Sequence, residues 1–143
     1  MTSPRLVVRL LAAAFVGVAL LSACGPLQYA VQSTPIATGA DAEIVAAIDA
    51  NQGVTRITIA AKNLPPPARV KDGDTNYVVW TRKDSDQAWS RLAALNYDEG
   101  ARTADLAEVS VALTAFDLEI TAESSIEVAS PSAEVVFAQR VSK

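Results

Sequence analysis

The chain has 143 residues, with 12 basic and 16 acidic side chains, one cysteine and no histidine. That length suits one ordinary domain with a leader. The missing histidine removes the commonest general base and the commonest transition-metal ligand, and a net charge of −4 without a basic stripe argues against nucleic-acid binding.

The first segment, "MTSPRLVVRLLAAAFVGVALLSAC", has Arg5 and Arg9 before an apolar run from Leu10 to Leu21. That run has the length of a signal-peptide core and is shorter than the roughly 20 residues of a membrane span. It ends in Leu21, Ser22, Ala23 and Cys24. This resembles the lipobox of bacterial lipoproteins, an aliphatic residue and two small ones before cysteine. The resemblance implies that the Cys24 thiol takes a diacylglyceryl group and that cleavage before Cys24 frees an amine for a further acyl chain. Each buried methylene contributes about 0.8 kcal/mol, and stable anchoring takes more than one chain. Gly25 stands where aspartate commonly marks inner-membrane retention. The resemblance therefore implies the periplasmic face of the outer membrane, in a cell with two membranes.

Three regions follow: 1–23 as leader, 24–40 as lipidated cysteine and flexible tether, and 41–143 as the folded domain. Loss of residues 1–23 leaves 120 residues, and 12 basic residues less Arg5 and Arg9 leaves 10 against 16 acidic, a net charge of −6. With Cys24 acylated no thiol remains, so the domain is held by its apolar core, and zinc, copper and haem sites are disfavoured. Residues 25–40, "GPLQYAVQSTPIATGA", are uncharged and rich in small residues, proline and glycine, which reads as a spacer. Tyr29 and Ile36 are exceptions suited to packing on another surface, but a flexible spacer is the better reading of the segment.

Beyond the spacer the chain reads mainly as strands. "AEIVAAIDA" and "VTRITIAAKNL" flank the turn Asn51 to Gly53 and form a plausible hairpin, although the first of them also fits helical spacing. Pro65 to Pro67 stop ladder hydrogen bonding. "NYVVWTR" is strand-forming by composition. "AWSRLAALNYD" reads as one strand, with Trp89, Ala93, Leu95 and Tyr97 on one side. Residues 101–114 are ambiguous between helix, loop and strand. "AFDLEITAE" alternates Phe116, Leu118, Ile120 and Ala122 with Asp117, Glu119, Thr121 and Glu123, which predicts a half-buried strand with an acidic face in water. "AEVVFAQRV" closes the chain. About seven strands at short spacing predict an all-β, immunoglobulin-like antiparallel sandwich.

The order of "KNLPPP", "NYVVWTR", "RLAALNYD", "FDLEITAE" and "SPSAEVVFA", from about Val54 to Val141, resembles the extracytoplasmic domain of the anti-sigma-K factor family. The positions are Leu64-Pro65, Tyr77 to Trp80, Ala94-Leu95, Ile120 to Glu123 and Pro131-Ser132. The family has glycines where this chain has Ala94 and Glu123 to Ser125. Its sigma-binding region and transmembrane helix have no counterpart in these residues, so the resemblance implies a β-sandwich projecting from a membrane and not sigma-factor inhibition.

Asp72, Asp74 and Asn76 match the start of an EF-hand loop, but Tyr77 and Lys83 occupy the places that need glycine and glutamate. Turn chemistry accounts for these residues, and for Asp84 and Asp86. Trp80 is expected to fill the space between the sheets. Trp89, beside a charged turn, is the candidate ligand or partner contact. Asp117, Glu119 and Glu123 read as a solvated face. No serine has a histidine base, and no phosphate loop is present. The sequence therefore points to no catalytic residue, metal or cofactor. It suggests a non-enzymatic envelope lipoprotein for protein contact or a structural role, held to the membrane by the Cys24 lipid. The alternatives are a small-ligand or carbohydrate-binding module and, third, a carboxylate-dependent hydrolase.

Overall fold

The computed structural model describes residues 25–143. Leu21, Ser22, Ala23 and Cys24 lie outside them. The strands are β1 (Leu27–Gln32), β2 (Asp41–Asp49), β3 (Val54–Lys62), β4 (Asn76–Arg82), β5 (Ser90–Ala94), β6 (Asn96–Asp98), β7 (Thr103–Val111), β8 (Phe116–Glu123) and β9 (Val135–Val141). A 3-10 turn, Pro35–Ala37, precedes β2, and a single helical turn, α1 (Pro67–Val70), precedes β4.

The strands form two antiparallel sheets, β1-β2-β3-β7-β6 and β5-β4-β8-β9. The order β2-β3-β7-β6 opposite β4-β8-β9 is the ABED and CFG arrangement of immunoglobulin domains, with β5 beside β4 as an added strand. The domain is an all-β sandwich, as its patterning predicts.

Period-2 patterning drives this fold. Phe116, Leu118, Ile120 and Ala122 of β8 meet Ile44, Ile57, Ile59, Tyr77 and Val79 in one apolar cluster, each 2% exposed or less. Full burial of one such side chain contributes about 1.5–3 kcal/mol. The β2–β3 hairpin turns where Asp49 Oδ1 accepts from the backbone N–H groups of Asn51 and Gln52, both at 3.1 Å, and Gly53 supplies a φ of +66°.

The structure has nine strands rather than about seven, for two reasons. First, the expected tether is largely folded. Leu27, Tyr29 and Val31 pack on the core, and β1 pairs with β2 from Leu27↔Ala46 to Gln32↔Asp41. Thr34 then crosses to the other sheet, its N–H donating to the Val136 carbonyl at 2.8 Å and its hydroxyl to Val135 at 2.6 Å. The apolar alternation in "LQYAVQ" wins over the uncharged, turn-rich composition around it.

Second, residues 88–98 divide between the sheets. β5 pairs with β4, and β6 pairs with β7. The crossing is at buried Leu95, whose N–H donates to the Tyr77 carbonyl at 2.8 Å. Tyr97 thereby reaches the core, its ring 5.5 Å from that of Tyr77 in an edge-on contact. Both hydroxyls clamp the corner after β3: Tyr77 donates to the Pro65 carbonyl at 2.6 Å and Tyr97 to Leu64 at 3.0 Å. The ambiguous 101–114 segment contains strand β7, bulged between Ile57 and Ile59 of its partner.

Candidate contact surfaces

Trp80 does not lie between the sheets. Tyr77 and Val79 face inward, so the strand period turns Val78 and Trp80 outward, where they are still fully buried. The segment after β8 covers them. The Ser132 N–H donates to Glu123 Oε1 at 2.7 Å, and Arg91 of β5 donates to the Val128 carbonyl at 3.1 Å. The segment thus spans the outer face from β8 across β4 to β5.

The acidic face of β8 is consequently not a solvated row. Glu123 is 4% exposed and Glu119 is 9% exposed. Asp117 is half-buried between two arginines: Arg82 Nε donates to Oδ2 and Arg140 Nη1 to Oδ1, both at 3.1 Å. Cross-strand register makes this clamp, since Asp117 is paired with Arg82 of β4 and Arg140 of β9. Local sequence carries no signal for it.

Trp89 is half-buried where the chain enters β5, and the Arg82 guanidinium carbon lies 4.3 Å from its ring centroid. That contact occupies one ring face. Trp89, Arg82, Asp117, Glu119, Gln139 and Arg140 line a shallow groove. Burial pushes the Glu119 carboxyl above its ordinary value, Arg82 opposes that shift, and Glu123 and Asp117 add to it.

These groups lie at the end of the sandwich where β1 begins, here termed the base. The Tyr29 hydroxyl donates to the Ser142 carbonyl at 3.1 Å, so β1 and the end of β9 lie together. Thr55 beside the β2–β3 turn donates to the Leu113 carbonyl at 2.7 Å, which brings in the β7–β8 connection. Gly25, Pro26, Asp49, Arg56 and Lys143 line one groove at this end.

The opposite, distal end carries the α1–β4 and β8–β9 connections. Lys71 Nζ lies 3.6 Å from Glu134 Oε2, and the Thr75 N–H donates to the Glu123 carbonyl at 2.9 Å. Gly73 makes the expected turn with a φ of +89°, but Asp74 beside it is 6% exposed, and its Oδ2 is buried without a hydrogen-bond partner. Burial pushes its carboxyl up; Lys71 opposes this, and Glu134 and Glu123 add to it. Among the described residues, no group of three His, Cys, Asp or Glu side chains is arranged to hold a metal ion.

Charge divides sharply between the two ends. Cut at mid-strand, the base half holds six basic residues, Arg56, Arg82, Lys83, Arg91, Arg140 and Lys143. It holds six acidic ones, Asp49, Asp84, Asp86, Glu108, Asp117 and Glu119. Of the 10 basic and 16 acidic residues after residue 23, four basic and ten acidic remain for the distal half. The base half is therefore neutral, and the distal half carries the whole −6. No protein-family model, curated protein or solved structure matches the chain. The surfaces themselves therefore carry the functional argument. The division needs the strand directions and is invisible in the linear sequence. Trp89, the contact residue expected from sequence, belongs to the neutral base and not to the acidic end.

Proposed function

We propose that this chain is a non-catalytic, lipid-anchored β-sandwich of the bacterial cell envelope that contacts a partner protein through its acidic distal half. The lipobox resemblance supports the anchor at Cys24. The resemblance to extracytoplasmic anti-sigma-K domains supports a sandwich projecting from a membrane. The observation that carries the contact surface is the segregation of charge. The whole net −6 falls in the half of the sandwich away from Gly25, in its strand ends and loops together, and the loops at that end include those that immunoglobulin-like sandwiches commonly use for recognition. Such a surface fits a basic face on the partner and speeds encounter with it.

The test is crosslinking in cells with the full-length protein, beside a triple variant, Glu43→Gln, Asp72→Asn and Glu99→Gln. All three side chains are exposed distal acids outside the core. A partner captured by the native chain is expected to be lost from the triple variant and weakened by salt. Equal capture by both forms overturns the distal contact.

A further inference from the structure

We propose that the base of the sandwich sits directly on the lipid surface, with Trp89 at headgroup level and the acidic half pointing away. This rests on the lipid-anchor reading above. Its first support is the length of the connection. Only Gly25 and Pro26 separate Cys24 from β1. Three residue steps span at most about 11 Å, so the Leu27 backbone lies within that distance of the Cys24 backbone, which acylation holds at the lipid surface. Pro26 restricts the connection further by fixing its own φ. The folded β1 removes the slack that a spacer through residue 40 would have supplied.

Its second support is charge. An anionic phospholipid surface repels acidic groups over a screening length of about 8 Å at physiological salt. β2 has nine residues, which span about 30 Å at the strand rise of about 3.3 Å. With the base down, the distal acids stand several screening lengths from the lipid. Lying on its side, the domain would bring much of its −6 into that field.

Its third support is the chemistry of the base. Trp89 is half-buried, with an apolar ring and one polar N–H, the type of side chain that favours the headgroup layer. Exposed Lys83, Arg56 and Lys143 stand at the same end to meet lipid phosphates. Asp84 and Asp86 keep the base neutral overall. Attraction is therefore modest, and the short connection supplies most of the seating.

The test uses full-length protein purified from membranes and reconstituted in phosphatidylcholine–phosphatidylglycerol vesicles with a headgroup-linked quencher. A fluorophore is placed at Gln87→Cys or at Glu99→Cys, both exposed turn positions, one in the basal β4–β5 connection and one in the distal β6–β7 turn. Strong quenching at position 87 and little at 99 is expected. Equal quenching, or more at 99, overturns the seating. In the position-87 reporter, Trp89→Ala is expected to reduce quenching, and an undiminished signal overturns the role of Trp89. Mass spectrometry of the Cys24 peptide separates the two readings. No acyl mass means that the anchor fails, and the seating with it. An acyl mass with an unquenched position 87 means that only the seating fails.

Discussion

The indole N–H of Trp80 donates to the hydroxyl of Thr121 at 2.8 Å, and that hydroxyl in turn donates to Glu123 Oε1 at 2.5 Å. The same carboxylate oxygen accepts from the backbone N–H of Ser132. A polar relay thus runs from the outer face of β4 through β8 to the segment that covers both. It explains how a tryptophan and a glutamate are buried on a face that composition assigns to water.

Thr121→Val keeps the shape of this side chain and removes both hydrogen bonds. Trp80 is 0% exposed, so its N–H is left buried without a partner. Such a loss costs about 1–3 kcal/mol. Urea unfolding followed by tryptophan fluorescence is expected to show a lower midpoint with an unchanged slope. An unchanged midpoint means that the relay carries no stability.

Val31 distinguishes a folded β1 from a spacer. It is 7% exposed, opposite Ala42 in the β1–β2 ladder. Val31→Asp places a carboxylate in the core cluster and is expected to cost more than about 2 kcal/mol. Thermal unfolding is the check. A melting temperature within error of the native value would mean that residues 27–32 do not belong to the cooperative unit.

Asp74 makes stability depend on pH with a defined sign. Its folded-state carboxyl is raised above the ordinary value of 3.8, chiefly by burial, so the folded chain holds the proton more tightly than the unfolded chain does. That contribution is fully present below pH 3.8 and is lost as pH rises through the folded-state value. Lys71 opposes the shift, whereas Glu134 and Glu123 enlarge it. Asp74→Asn is expected to flatten this limb of the stability–pH curve and to stabilise the protein at neutral pH. Chemical denaturation at a series of pH values measures both. A destabilised variant with an unchanged slope would show that the Asp74 carboxylate is favourably held.

Cys24→Ala tests the anchor without touching any described residue. The variant is expected to leave the membrane fraction and appear soluble in the same compartment. Retention in the membrane pellet after a carbonate wash would count against lipid attachment at Cys24.

Much of the sandwich is legible because apolar side chains recur with period 2 on the strand face that meets the core. "FDLEITAE" alternates over its full length, and β8 runs from Phe116 to Glu123 as that alternation requires. "NYVVWTR" coincides with β4 and "AEVVFAQRV" contains β9. The same rule was available for "LQYAVQ", where Leu27, Tyr29 and Val31 alternate with Gln28, Ala30 and Gln32. Its uncharged, proline-flanked setting masks it. The division of "RLAALNYD" at Leu95 has no local signal, because changing sheets alters a strand's partners and not its period.

By itself, the sequence determined the strand faces, the absence of histidine and the spacing from Cys24, because these are properties of adjacent residues. Tertiary structure alone decided which groups meet across strands. Register placed Asp117 between Arg82 and Arg140, and the β8–β9 crossing covered Trp80 and Glu123. Strand direction gathered acids from separated stretches of the chain in one half. Each of these outcomes depends on pairing between residues far apart in the chain. Such pairing is governed by closure of the shared core, not by the residues beside each charge.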